Sequence, residues 1–510
     1  MKKEKKFSLA SMGVFLLLAV LPLFITNKYY NLTFSKFIFF ISVTGAFFFM
    51  CLIFCDRVRK EIPKKKHRYF LQWLSECDRL ALSFAAFLAV GFFSMLFSPY
   101  PYSSFCGYAG RYMGFDFVCA VFLLYFFVTR YYRLKDREII CFEVSGVLVI
   151  LLALTEFFGF DPFGLMKTVP KESMGTFLST LGNINVLASF IALLLPISMY
   201  YLTFFDKLKS IPIFITSTVF GYVGVFVSNS DSAYLALLAA FWIIGLMAFK
   251  KSESTYRFLL AFSLFWLSAF LFGVVHGISK KAFHLTDLTD YVTARWAIIP
   301  FFIFAAIALI VKYKPLSEKK LKIFRYAYIV VSVFAAVAVA FAIIYFSAFD
   351  TKTPLKGFLS YFRFNDSWGT DRGMVWKMGF SAFGKMPFIN KLFGYGEDTI
   401  VVLFAKYFKQ EMLNSGYYTD NAHNEYLQYL LTMGIFGLAA YISILFFSLK
   451  KLLKKSGDYV VCGAIAVSVF AYAVQAFVNI SQPITTPIMF LFMAFAGCEL
   501  KNSPVKGSHR

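Results

Sequence analysis

Residues 420–445, DNAHNEYLQYLLTMGIFGLAAYISIL, decide how this chain is read. From Tyr426 onward the stretch is apolar for about twenty residues, enough at 1.5 Å per residue to cross roughly 30 Å of hydrocarbon. Yet it opens with His423, Asn424 and Glu425: an imidazole, an amide and a carboxylate at the mouth of a membrane helix. Part of this is ordinary helix chemistry. Asp420 or Asn421 can cap the helix, and carboxylates in the first turn oppose the positive end of its dipole.

Working outward, similar apolar runs recur along the whole chain. The protein is 59% hydrophobic and 15% charged, whereas soluble domains are about one quarter charged. The fold class expected is an all-α polytopic membrane protein of 12–14 spans. Fourteen are read, at 7–26, 37–55, 79–97, 115–129, 139–158, 185–205, 211–227, 233–249, 258–275, 296–311, 326–346, 426–449, 459–478 and 484–499. Residues 1–510 form a single integral membrane domain on this reading. Its short connections suit antiparallel neighbours. The long connection 347–425, between spans eleven and twelve, is too aromatic for a solvated linker. Within it, DRGMVWKMGFSAFGKM places apolar residues at 374, 375, 378, 382, 383 and 386. That spacing predicts an amphipathic helix near 370–386, ended by Pro387 and followed by the glycine turn LFGYGED.

The formal charge of +23 sits mainly in one alternate set of connections, RVRKEIPKKKHR (57–68) above all. This is the positive-inside pattern. It places both termini in the cytoplasm and 347–425 outside, and it argues against nucleic acid as a partner. Pro22 and Phe24 interrupt the place where a signal-peptide cleavage site would fall, so the first span is expected to be retained. The eight cysteines show neither a disulfide framework nor metal-site spacing, and no metal or cofactor is expected. Span interiors are almost free of charge, and polar groups gather at the outer ends.

The spacing His423-Asn424, nine residues, Gly434, two residues, Gly437 fits H-[NSQ]-x9-G-x2-[GTY]. Two small residues at i and i+3 would let a neighbouring helix approach closely. In this pattern the chain resembles the O-antigen ligase and O-antigen polymerase superfamily of bacterial membranes. GNINVLASFIALLLP, with Asn183 and Asn185, looks like the family's entry to a span. DRGMVWKMGFSAFGKMPFINKLFGYGED is similar to the family segment preceding the histidine, with Arg372, Trp376, Gly394 and Gly396 at matching positions. SPYPYSSFCGYAGRYMG, with Arg111, is similar to a family loop. The likeness covers roughly 98–450. One departure is plain. Where many relatives carry a Ser-Arg pair, SNSDSAYLAL places Asp231, so another cation (Arg295, Arg363 or Arg111) would take the task.

The resemblance implies a GT-C-type membrane glycosyltransferase. Such an enzyme moves a glycan from an undecaprenyl-diphosphate donor to an acceptor hydroxyl on a glycan, lipid or protein. The reaction would lie at the outer face of the bacterial cytoplasmic membrane. A sugar hydroxyl must lose its proton as it attacks, and histidine titrates near neutrality. His423 is therefore the expected general base, with Asn424 and Glu425 orienting ring or acceptor. A departing diphosphate needs developing charge stabilised, which a guanidinium does with two donors. Arg372 is expected there, beside the imidazole. The alternative is a transporter of lipid-linked polysaccharide, a flippase, which would place its polar groups at mid-bilayer.

Overall fold

A computed structural model describes residues 9–54, 78–108, 110–205, 211–415 and 418–500. The basic stretch 57–68, Cys55 and Cys77 lie outside the described residues. Every one of the fourteen expected spans falls on a helix. Among the described residues, eleven helices are long and apolar enough to cross a membrane, and Leu9–Val20, Phe115–Tyr131 and Thr486–Phe495 are shorter. The strands among the described residues are two-residue pairings. The protein is an all-α polytopic membrane protein.

The chain divides into two compact units. The first comprises Met1–Ser145, Ser381–Val469 and Ile480–Arg510. Here the long helix Glu425–Lys455 packs along Arg79–Phe97, and the short helix Phe388–Phe393 lies against both. Phe115–Tyr131 packs on Leu32–Phe54, Arg79–Phe97 and Thr486–Phe495. Lys36, one residue before the expected span 37–55, falls within the helix Leu32–Phe54 and is fully buried. Its Nζ donates to the carbonyls of Leu21 (2.8 Å) and Pro22 (2.9 Å). Both carbonyls lie at the end of the first helix, where a basic side chain meets the negative end of the helix dipole. Glu138 and Glu143, in the helix Asp136–Phe157, are also buried.

The second unit comprises Gly146–Phe380 and Phe470–Asn479. Its centre is Ile184–Phe204, apolar on all sides and 94% buried over its apolar window, as a helix enclosed by other helices should be. Ile211–Ser228, Asp231–Ala248 and Ser252–Ile278 pack around it. Glu318–Ile344 behaves oppositely. Leu321 is its one buried residue, and Val330, Phe334, Val337 and Phe341 all stand exposed. Such a surface suits a helix that faces hydrocarbon.

The long connection is more structured than its sequence suggested. It holds a 3-10 turn, Gly357–Phe362, and the helices Trp368–Lys385, Phe388–Phe393 and Ile400–Ser415. The expected amphipathic helix is present. Gly369, Thr370 and Asp371 adopt positive φ, so its regular part begins at Arg372. Val375, Met378, Ala382 and Met386 are buried along one stripe, and the helix stops before Pro387. Helix Ile400–Ser415 was not expected from the sequence.

Candidate functional site

In the first unit the site is built at the start of Glu425–Lys455. The cap is neither Asp420 nor Asn421 but Asn424, whose side chain accepts the N–H of Leu427 at 3.0 Å. The two earlier residues are engaged elsewhere. Asn421 Oδ1 accepts the His423 N–H at 2.7 Å, closing an Asx turn that favours the left-handed φ of +48° at His423. Asp420 receives the Arg111 guanidinium through both oxygens, at 2.7 and 2.5 Å. Burial opposes ionisation of Asp420, but the bonds from Arg111 and Asn421 outweigh it and hold the carboxyl below its usual range. Arg111 is thus committed to a carboxylate, and it anchors the segment before His423 instead of presenting a free cation. Glu425 is buried, with Oε2 accepting the Tyr441 hydroxyl at 3.1 Å. His423 itself is half-buried.

The same helix is broken. Gly434 has φ +70° and ψ −169°, a conformation open essentially to glycine alone. The break frees the carbonyls of Leu431 and Thr432, and the turn after Phe388–Phe393 takes them. Tyr395 N–H donates to Leu431 O and Gly396 N–H to Thr432 O, each at 3.0 Å. Ser94 Oγ adds a bond to Thr432 O at 2.6 Å. A Cβ on Gly434 would lie 2.4 Å from the Leu392 backbone, and one on Gly394 would lie 2.1 Å from Thr432 O. Gly434 and Gly394 therefore serve one junction. The close approach expected of Gly434 is real, but its partner is a turn and a short helix, and the residue's first duty is its dihedral angles. Gly437 does not serve a neighbour: a Cβ there would meet Met433 of its own helix.

The turn also carries Glu397 and Asp398, which the sequence reading did not single out. Asp398 Oδ2 accepts the amides of Tyr108 (2.7 Å) and Met113 (3.2 Å). Burial pushes its carboxyl up to about 7, against the pull of those amides and of Arg111. Glu397, Asp398, Gln428, Tyr429 and Thr432 line a small cleft. Two adjacent acids directly after Gly-x-Gly were the available signal.

In the second unit, Arg372 Nη1 donates to Gly369 O at 2.7 Å, and its charge acts on Asp231 and Tyr361. Asp231 accepts the Tyr361 hydroxyl. Burial first, then the bond to Asp231, holds the proton on Tyr361, with Arg372 opposing. Trp376 packs on Trp368 (5.2 Å between centroids) and Phe364 (6.2 Å). Arg363 donates to the carbonyls of Phe346 (3.1 Å), Asp350 (2.8 Å) and Thr353 (2.7 Å), so it closes the end of the preceding helix. Arg295 is exposed at the head of a 3-10 turn. Asn183 caps Ile184–Phe204 through the Asn185 amide at 2.8 Å. Asn185 joins a buried amide and hydroxyl cluster: its Oδ1 accepts from Ser230 (2.9 Å) and its carbonyl from Asn479 (2.9 Å), which also donates to Gln475 (2.7 Å). Gln475 escaped the sequence reading as a lone polar residue in an apolar run, and Asn479 as one of several polar residues just past the end of a span.

Fold and site together define a multi-pass membrane protein with a histidine mounted on a broken membrane helix. Residues 291–442 match the family model described as O-Antigen ligase. Over these residues the resemblance to the O-antigen ligase superfamily is borne out, which indicates a ligase- or polymerase-like membrane function. No curated protein matches the chain.

Proposed function

We propose that the protein is a glycosyltransferase of the ligase or polymerase kind. It moves a glycan from an undecaprenyl-diphosphate carrier to an acceptor hydroxyl outside the cytoplasmic membrane. The observation that carries the reading is His423: a half-buried imidazole at the head of a short helical segment, inside the region that matches the family. The Asx turn and the Arg111–Asp420 pair fix the backbone that presents the ring. Preorganisation of this kind suits a group that takes a proton from an attacking hydroxyl. Asn424 caps the helix and Glu425 accepts from Tyr441, so both brace the helix start that follows the ring. Arg372 is assigned to the leaving diphosphate. Arg111, Arg363 and Asn183, by contrast, hold the protein's own backbone or carboxylates in place.

A broken membrane helix is also a feature of transporters, whose breaks line a substrate cavity. Here the carbonyls at the break are taken up by Tyr395, Gly396 and Ser94, which favours a structural junction over a passage. Replacing His423 and Arg372 separately with Ala separates the two readings. A transferase loses surface polymer, by about 100-fold or more for the general base, while lipid-linked glycan builds up on the outer leaflet. Build-up on the cytoplasmic leaflet would overturn the assignment in favour of a flippase.

A further inference from the structure

The short helix Phe388–Phe393 turns one side to protein and leaves the other bare. Asn390 Nδ2 donates to Phe97 O at 3.2 Å and to Gly394 O at 2.8 Å. The Phe393 ring lies 5.3 Å from Phe97 and 5.3 Å from Phe436, between centroids. On the bare side Phe388 is 75% exposed and Ile389 40%. Two adjacent apolar residues in this state call for a covering, and the depth of the helix decides which. Phe97 is the last residue of the membrane helix Arg79–Phe97, whose Phe92, Phe93 and Leu96 are exposed, as on a face turned to hydrocarbon. Tyr100 and Tyr102 follow and are exposed too, and tyrosine is a residue that collects at the membrane–water boundary. The bond from Asn390 to Phe97 O therefore sets Phe388 and Ile389 at the height where acyl chains meet headgroups.

The charge beside them has one sign. Lys385 stands three residues before the helix and Lys391 within it. Lys385 Nζ rests 4.6 Å over the Phe408 ring, a contact that orients the ammonium without neutralising it. Among the described residues neither lysine forms an ion pair, and the two acids of the following turn, Glu397 and Asp398, are buried. A lysine stem can lie along apolar surface while its ammonium reaches a phosphate.

We propose that Lys385, Phe388, Ile389 and Lys391 form a seat for an anionic phospholipid of the surrounding bilayer. Its acyl chains lie on Phe388 and Ile389, and the two ammonium groups hold its phosphate. The seat bears on the break at Gly434. Phe388–Phe393 leads directly into Tyr395 and Gly396, whose N–H groups cover the Leu431 and Thr432 carbonyls. A lipid that steadies the short helix steadies those bonds, so the anionic lipid content of the membrane tunes how firmly the head of Glu425–Lys455 is held.

The inference stands apart from the reaction assigned to His423, and its test needs no turnover. Purified full-length protein is placed in discs of phosphatidylcholine, with or without phosphatidylglycerol. Native mass spectrometry reads the lipid retained, and amide exchange is followed over residues 388–396. Wild type should retain phosphatidylglycerol over phosphatidylcholine by about ten-fold, and phosphatidylglycerol should slow exchange at Tyr395 and Gly396 several-fold. Molar salt should erase that difference, because it screens the lysines. The double variant Lys385→Gln, Lys391→Gln should exchange alike in both discs, at the wild-type rate in phosphatidylcholine. The double variant Phe388→Ser, Ile389→Ser should exchange faster than wild type in either. Wild type indifferent to the lipid, or a lysine variant that keeps the preference, overturns the proposal. So does protection by inorganic phosphate alone, which marks a small-anion site, or by an added polyprenyl diphosphate but not phosphatidylglycerol, which marks part of a donor site. Should the serine variant not fold, the lysine variant, which alters no buried side chain, decides alone.

Discussion

Ile184–Phe204 and Glu425–Lys455 begin alike, each capped by an asparagine side chain that takes an early N–H. They then diverge. The first runs on as one enclosed apolar rod and tolerates Pro196 within it. The second breaks at Gly434 after nine residues and gives two carbonyls to a turn from elsewhere in the chain. In lipid an unsatisfied backbone group costs several kcal/mol, so a break survives only where protein supplies donors. The difference teaches that similar caps do not make similar helices. What singles out Glu425–Lys455 is the set of outside groups gathered at its break.

Three kinds of substitution can break or sharpen that contrast. The largest effect is expected from Gly434→Ala, which meets a forbidden φ and the Leu392 backbone together. It should cost on the order of 3 kcal/mol or more, read as lost yield or a lowered unfolding midpoint in detergent. Alanine at Gly245, in the unbroken helix Asp231–Ala248, meets only side chains and should be far milder. Next come the caps. Asn424→Ala and Asn183→Ala should each cost about 1 kcal/mol. Unequal losses in the unfolding midpoint would show that the broken helix leans harder on its cap. The smallest effect belongs to Asp420→Asn. The folded carboxyl titrates below its unfolded value, so its contribution is whole above the usual carboxylate range and fades as pH falls through the folded value. Wild type should lose stability in acid where the Asn variant, already weaker near neutrality, stays flat.

Hydropathy alone located the spanning helices, because a span must be apolar for its full length whatever it packs against. The amphipathic helix from Arg372 was legible for a related reason: Val375, Met378 and Ala382 repeat at helical spacing. The break was not legible. MGIFG is as apolar as its surroundings, and the donors that permit the break come from Tyr395 and Gly396, far back in the chain. The cap was misplaced for a similar reason. Asp420, Asn421 and Asn424 are all competent, and only the distant Arg111 and the local Asx turn decide which of them is left to cap. His423 was singled out from spacing, but its left-handed backbone was not foreseen, since nothing in the composition demands one. Glu397 lay within a quoted segment and passed as turn chemistry. Its burial depends on Ser94, Ser104 and Gly91, none of which a local pattern connects to it.

Glu318–Ile344 has a consequence for how the protein meets its solvent. Its hold on the rest of its unit is slight, with the Tyr328 hydroxyl reaching Phe241 O as one tether. The Tyr328 ring also packs on Phe249, 5.2 Å between centroids, and most of the remaining apolar length is exposed. Lipid acyl-chain length, more than protein packing, will therefore set its tilt. Shortening the chains of a reconstituted bilayer should tip this helix before it disturbs any other.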